Sequence, residues 1–87
     1  MGNKELVEII DPNGKVEQVQ LVTYLISDDK LRQYIVYTKN EVRGNNEHVI
    51  YISKLYKVGD EKRLDEISDD QEWLYVQSLL KRIANKN

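Results

Sequence analysis

The chain has 87 residues, no cysteine, one histidine and a formal net charge of −2, which sets a single domain with a modest core and excludes a disulfide framework, a thiolate nucleophile and cysteine-ligated zinc. Basic and acidic side chains are interspersed, four and six in residues 1–38, six and four in 39–63, three and five in 64–87, so no bulk electrostatic drive toward nucleic acid exists. No apolar run reaches the ~18 residues of a membrane span and the first residues lack a signal-peptide core, so the expectation is a cytoplasmic protein with no membrane partner.

Residues 1–4 read as a tail. Leu6 to Ile10 are β-prone and stop at Asp11-Pro12-Asn13-Gly14, where proline presets φ and glycine supplies a left-handed residue, as in a type I turn with a bulge. The return strand, Val16 to Ile26, alternates Val19, Leu21, Thr23 and Leu25 against Gln20, Val22, Tyr24 and Ile26, and its length calls for a bulge or bend. Ser27-Asp28-Asp29-Lys30 forms a polar turn, and Tyr34 to Thr38 a short strand. Asn40 to Glu47, centred on Gly44-Asn45-Asn46, reads as the loosest loop. His48 to Val58 is the fourth strand, with Val49, Tyr51 and Leu55 on one side and Ile50, Ile52, Tyr56 and Val58 on the other. Gly59-Asp60 allows a II′-like turn into a strand from Lys62 to Glu66, where Leu64 is the inward candidate.

Residues 68–85 read as an amphipathic helix. At 100° per residue Trp73, Val76, Leu79, Leu80, Ile83 and Ala84 share a stripe about 140° wide, with Trp73 as its anchor in the core. Ser68 with Gln71, or Asp69 with Glu72, supplies a capping box. Acidic residues cluster at the helix start and Lys81, Arg82 and Lys86 near its end, as the macrodipole favours. Strands followed by one helix imply an α+β domain: an antiparallel meandering sheet of four to five strands over residues 5–67, with the C-terminal amphipathic helix packed on one face.

Both sides of the second, third and fourth strands carry apolar or tyrosine side chains, yet one helix covers only one side. The remainder is either ordinary half-buried surface, which suits tyrosine, or a face for a protein partner or self-association. Six tyrosines are many for this length, and Tyr24, Tyr37, Lys54, Tyr56 and Lys57 are the candidate interaction surface.

Catalytic constellations are missing. His48 has no oriented company. Asp28-Asp29 and Asp69-Asp70 do not follow the spacing of a calcium loop, and no GxSxG elbow, P-loop or dinucleotide fingerprint occurs. The reading is a non-enzymatic chain with no catalytic, cofactor or metal residues, serving as a protein-interaction module. The alternative is a single-stranded nucleic-acid binder that stacks bases on tyrosines beside Lys54 and Lys57.

Four segments carry a further signal: Tyr34-Ile35-Val36, Ile52-Ser53-Lys54-Leu55-Tyr56, Leu64-Asp65-Glu66-Ile67, and Asp70-Gln71-Glu72-Trp73 with Val76. In these the chain resembles DUF1292, a small bacterial domain of unknown function, over most of Leu6 to Leu80. The resemblance implies an antiparallel sheet with a C-terminal helix; it supplies no assigned activity and no catalytic residues to carry over.

Overall fold

The computed structural model describes residues 5–44 and 47–84, with the side chains of 40–43, 47, 48 and 84 outside that set. The tail at 1–4, Asn45-Asn46, the helix position 85 and the His48 imidazole therefore lie outside the described residues. Five strands and one helix follow in order: β1 (Leu6–Ile10), β2 (Val16–Ile26), β3 (Gln33–Arg43), β4 (Glu47–Val58), β5 (Glu61–Asp65) and α1 (Asp70–Ala84).

The turn chemistry works as the residues dictate. At the first hairpin Gly14 N–H donates to the Asp11 carbonyl at 2.9 Å, Gly14 has φ +86, and Asp11 Oδ1 accepts from Asn13 and Lys15 N–H at 2.9 and 2.8 Å. A type I turn with a glycine bulge results. Gly59 takes φ +62 in the two-residue connection to β5. The loosest-loop reading of Asn40 to Glu47 is corrected. Val42 pairs with His48 and Arg43 with Glu47, because extending a ladder satisfies backbone groups that a polar loop leaves to water.

Each strand pairs antiparallel with the next, and β1 then pairs parallel with β5 through Ile10 and Arg63, so the sheet closes into a barrel. The expectation of an open, purely antiparallel meander is thereby corrected. In a meander of five strands the first and last run the same way, so the closing pair must be parallel. Closure also consumes both sheet edges.

Closure answers the question of the second apolar face. One cluster fills the barrel: Val7, Ile9, Val19, Ile35, Tyr37, Leu55 and Leu64, with Leu21 and Tyr51 against it. A second lies between barrel and helix: Leu25, Tyr34, Val36, Val76 and Leu79, bordered by Ile52, Ile67, Tyr75 and Leu80. Strand β3 serves both, Ile35 and Tyr37 inward and Tyr34 and Val36 outward. Strand β2 changes allegiance at a bulge. Leu21 pairs with Tyr37 and Thr23 with Val36, leaving Val22 without an opposite residue. That extra residue inverts the alternation, so Val19 and Leu21 enter the barrel while Leu25 meets the helix.

Helix docking departs from the stripe in one respect. Val76 and Leu79 are buried, but Trp73 is 37% exposed and Ile83 lies in solvent. Trp73 is not the core anchor. The helix is rotated so that its Tyr75 and Leu79 side faces the barrel, which swings the indole to the rim.

Candidate functional site

Asp69 caps helix α1: its Oδ1 accepts from Gln71 N–H at 3.1 Å and its carbonyl accepts from Trp73 N–H at 2.9 Å, so the capping residue is the second of the two anticipated. Glu72, the third residue of the helix, turns to the barrel. Its Oε2 accepts from the Tyr34 hydroxyl at 2.8 Å, its Oε1 lies 3.3 Å from Lys54 Nζ, and Arg32 Nη1 stands 3.8 Å from Oε2. Burial would raise the Glu72 carboxyl, but the hydrogen bonds from Tyr34 and Lys54 and the charges of Lys54 and Arg32 outweigh it and hold the pKa low. The Tyr34 hydroxyl is pushed up to about 12, by burial first and then by its bond to Glu72. The far half of the helix is tied to the turn after β2: Tyr75 Oη accepts from Asp28 N–H at 2.8 Å, and Arg82 Nη1 donates to Asp28 Oδ1 at 2.8 Å.

Two depressions flank the helix start. The larger, about 640 Å³, lies between the first hairpin, the barrel wall and the first helical turn. Tyr37 and Tyr51 belong to it, stacked with ring centroids 5.4 Å apart and planes at 17°. Trp73 stands on its lining. Around them, among the described residues, are five carboxylates, those of Asp11, Glu17, Glu66, Asp69 and Asp70, and one ammonium, that of Lys39. Lys39 Nζ sits 5.0 Å from the Tyr51 ring centroid and 3.4 Å from Glu17 Oε1. Burial alone would lower its pKa; Glu17, by charge and hydrogen bond, more than offsets this and raises it.

The smaller depression, about 350 Å³, is lined by Lys30, Arg32, Lys54, Tyr56 and Lys57 with Glu72 and Tyr34. Of the five surface candidates, then, the fold brings Lys54, Tyr56 and Lys57 together. Tyr37 is 7% exposed, one of the barrel's own core residues, so it is not part of an outer face with the lysines. Tyr24 pairs with Ile35 on β3 and lies outside this depression; burial, then the charge of Glu5, raises its pKa. Among the described residues no three acidic or histidine side chains stand close enough to hold a metal ion, and no helix is long and apolar enough to cross a membrane.

Sequence reasoning passed over the larger cleft because its walls come from β1–β2, β3, β4 and the helix start, far apart in the chain. Two signals were present. Glu72 falls inside the helix's apolar stripe at 100° per residue, where a carboxylate requires partners, and Trp73 falls at that stripe's edge.

A family model described as a protein of unknown function, DUF1292, matches residues 12–85. The chain belongs to that family. No curated protein and no solved structure matches it.

Proposed function

We propose that this DUF1292 chain is a small, non-enzymatic, cytoplasmic protein-interaction module whose docking surface is the larger cleft. One observation carries the reading: the chain's sole tryptophan is exposed at the lining of a cleft of about 640 Å³ beside a stacked tyrosine pair. Partly exposed aromatics in a concavity are the groups that anchor protein partners, since they bury large area at low entropic cost. The test is capture of partners by wild-type protein and by Trp73→Ala, each verified as folded by circular dichroism. Proteins retained by the first and lost by the second support the reading. An identical retained set, or none, overturns it.

A second reading has its own observation. Lys30, Arg32, Lys54 and Lys57 gather around Tyr56 and the single carboxylate Glu72 in the smaller depression, an arrangement that suits a single-stranded nucleic-acid backbone with one base on the tyrosine. Labelled oligonucleotides decide it: binding at low salt that weakens steeply as salt rises supports it, and no binding at low salt removes it.

A further inference from the structure

We propose that the larger cleft takes a cationic side chain, lysine or arginine, from an exposed segment of a partner protein, and that the seat for its charge is the one Lys39 now holds over Tyr51. The inference rests on the docking reading above and adds the chemistry of the occupant.

The seat is demonstrated by the chain itself. An ammonium already lies 5.0 Å from the Tyr51 ring centroid and 3.4 Å from a Glu17 carboxylate oxygen. A π-face below and a carboxylate beside are the two elements that attract a desolvated cation. Lys39 lies on the exposed surface of β3, and the rotatable stem of a lysine lets its head swing into water when another cation arrives.

Charge complementarity selects the occupant. Among the described residues, Asp11, Glu17, Glu66, Asp69 and Asp70 line the cleft against Lys39, an excess of four negative charges. Asp69 also caps the helix start and Asp11 also holds the hairpin turn. A phosphate or an acidic peptide would meet like charge on every side. A purely apolar segment would strip water from carboxylates without replacing it. A lysine or arginine satisfies both demands, its stem against the aromatic rings and its head among the carboxylates. Trp73, on the same lining, is the aromatic type with the strongest cation–π attraction.

The sole tryptophan makes the test direct, because Trp73 emission reports from the site. The probes are capped glycine peptides bearing lysine or arginine, the same lysine peptide acetylated on its amines, and a glutamate counterpart. Lysine and arginine peptides are expected to change Trp73 emission saturably and in a salt-sensitive way. Acetylation should weaken binding by roughly tenfold, and glutamate should abolish it. Glu17→Gln should weaken the lysine peptide several-fold, whereas Lys39→Met, which vacates the seat but keeps the stem, should strengthen it.

Equal response to acetylated or glutamate peptides overturns the assignment of a cation. So does no response to lysine and arginine peptides at millimolar concentration, or indifference to both Glu17→Gln and Lys39→Met. Each of these outcomes leaves Trp73-dependent capture of partners standing, so failure of the inference is distinct from failure of the docking reading.

Discussion

Tyr34 on β3 donates its phenolic hydrogen to Glu72 on α1 at 2.8 Å, joining residues 38 positions apart. Tyr34 is fully buried and Glu72 nearly so, with Lys54 on the carboxylate's other oxygen. The pair fixes which helix turn meets the barrel, and so where Trp73 stands.

Removing Glu72 leaves the Tyr34 hydroxyl buried and unsatisfied, whereas removing that hydroxyl leaves Glu72 with Lys54 and Arg32. Glu72→Ala is therefore expected to cost about 2–3 kcal/mol and Tyr34→Phe about 1–2 kcal/mol, with Glu72→Gln between no effect and the alanine value because it keeps an acceptor for Tyr34. Urea denaturation measures all three, and the double variant should cost less than the sum of the singles.

The same pair sets a pH window. Glu72 has a lowered pKa in the folded chain relative to 4.5, so its contribution is complete above that value and is lost as pH falls through the folded pKa. Tyr34 is raised from 10.0 to about 12, so its contribution is complete below pH 10 and is lost as pH rises through about 12. The alkaline loss is on the order of 2 kcal/mol. Urea midpoints taken between pH 9 and 12 should fall for wild type and stay flatter for Tyr34→Phe once the titration of the other tyrosines, common to both, is subtracted.

Helix docking is expected to depend on Leu79 and Val76 rather than on the indole. Leu79→Ala should cost about 3 kcal/mol, as buried leucines do, while Trp73→Ala, at a site 37% exposed, should cost about 1–2 kcal/mol. Thermal melts of the two variants compare them, and a larger loss for Trp73→Ala would place the indole in the core.

The β2 bulge yields the sharpest structural expectation. Deleting Val22 removes the extra residue while leaving Leu21 opposite Tyr37 and Thr23 opposite Val36, so every downstream side chain keeps its face and cooperative unfolding should be retained. Val22→Lys keeps the extra residue on an exposed site and should change stability by less than about 0.5 kcal/mol. Near-ultraviolet circular dichroism should show native packing in both, and its loss on deleting Val22 would mean that the bulge is needed for more than the facing of β2.

Lys30 occupies φ 63, the one non-glycine residue with positive φ among those described, in a turn held by Lys30 N–H to the Ser27 carbonyl at 2.9 Å, by Ser27 Oγ to Asp29, and by Leu31 N–H to Asp29 Oδ1 at 3.0 Å. Left-handed backbone costs a side-chain-bearing residue about 1–2 kcal/mol. Lys30→Gly should thus raise stability by up to about 1 kcal/mol once the extra entropy of the unfolded glycine is offset, measured by the urea midpoint.

Local chemistry was legible wherever it is self-contained. β1 and β2 run from Leu6 to Ile10 and from Val16 to Ile26, as alternation and the Asp11-Pro12-Asn13-Gly14 turn require, and the inward placement of Leu64, the need for a bulge or bend in β2 and a helix cap at Ser68 or Asp69 follow from neighbouring residues alone. These depend on φ preferences, side-chain period and capping, all of which act within a few positions. Barrel closure, the role of Tyr37 inside it, the rotation of α1 that buries Glu72 and exposes Trp73, and the cleft between hairpin and helix depend on contacts between residues tens of positions apart. A one-dimensional pattern records that a side chain is apolar, whereas which of two interiors receives it is set by the curvature of the closed sheet and by one unpaired residue at Val22.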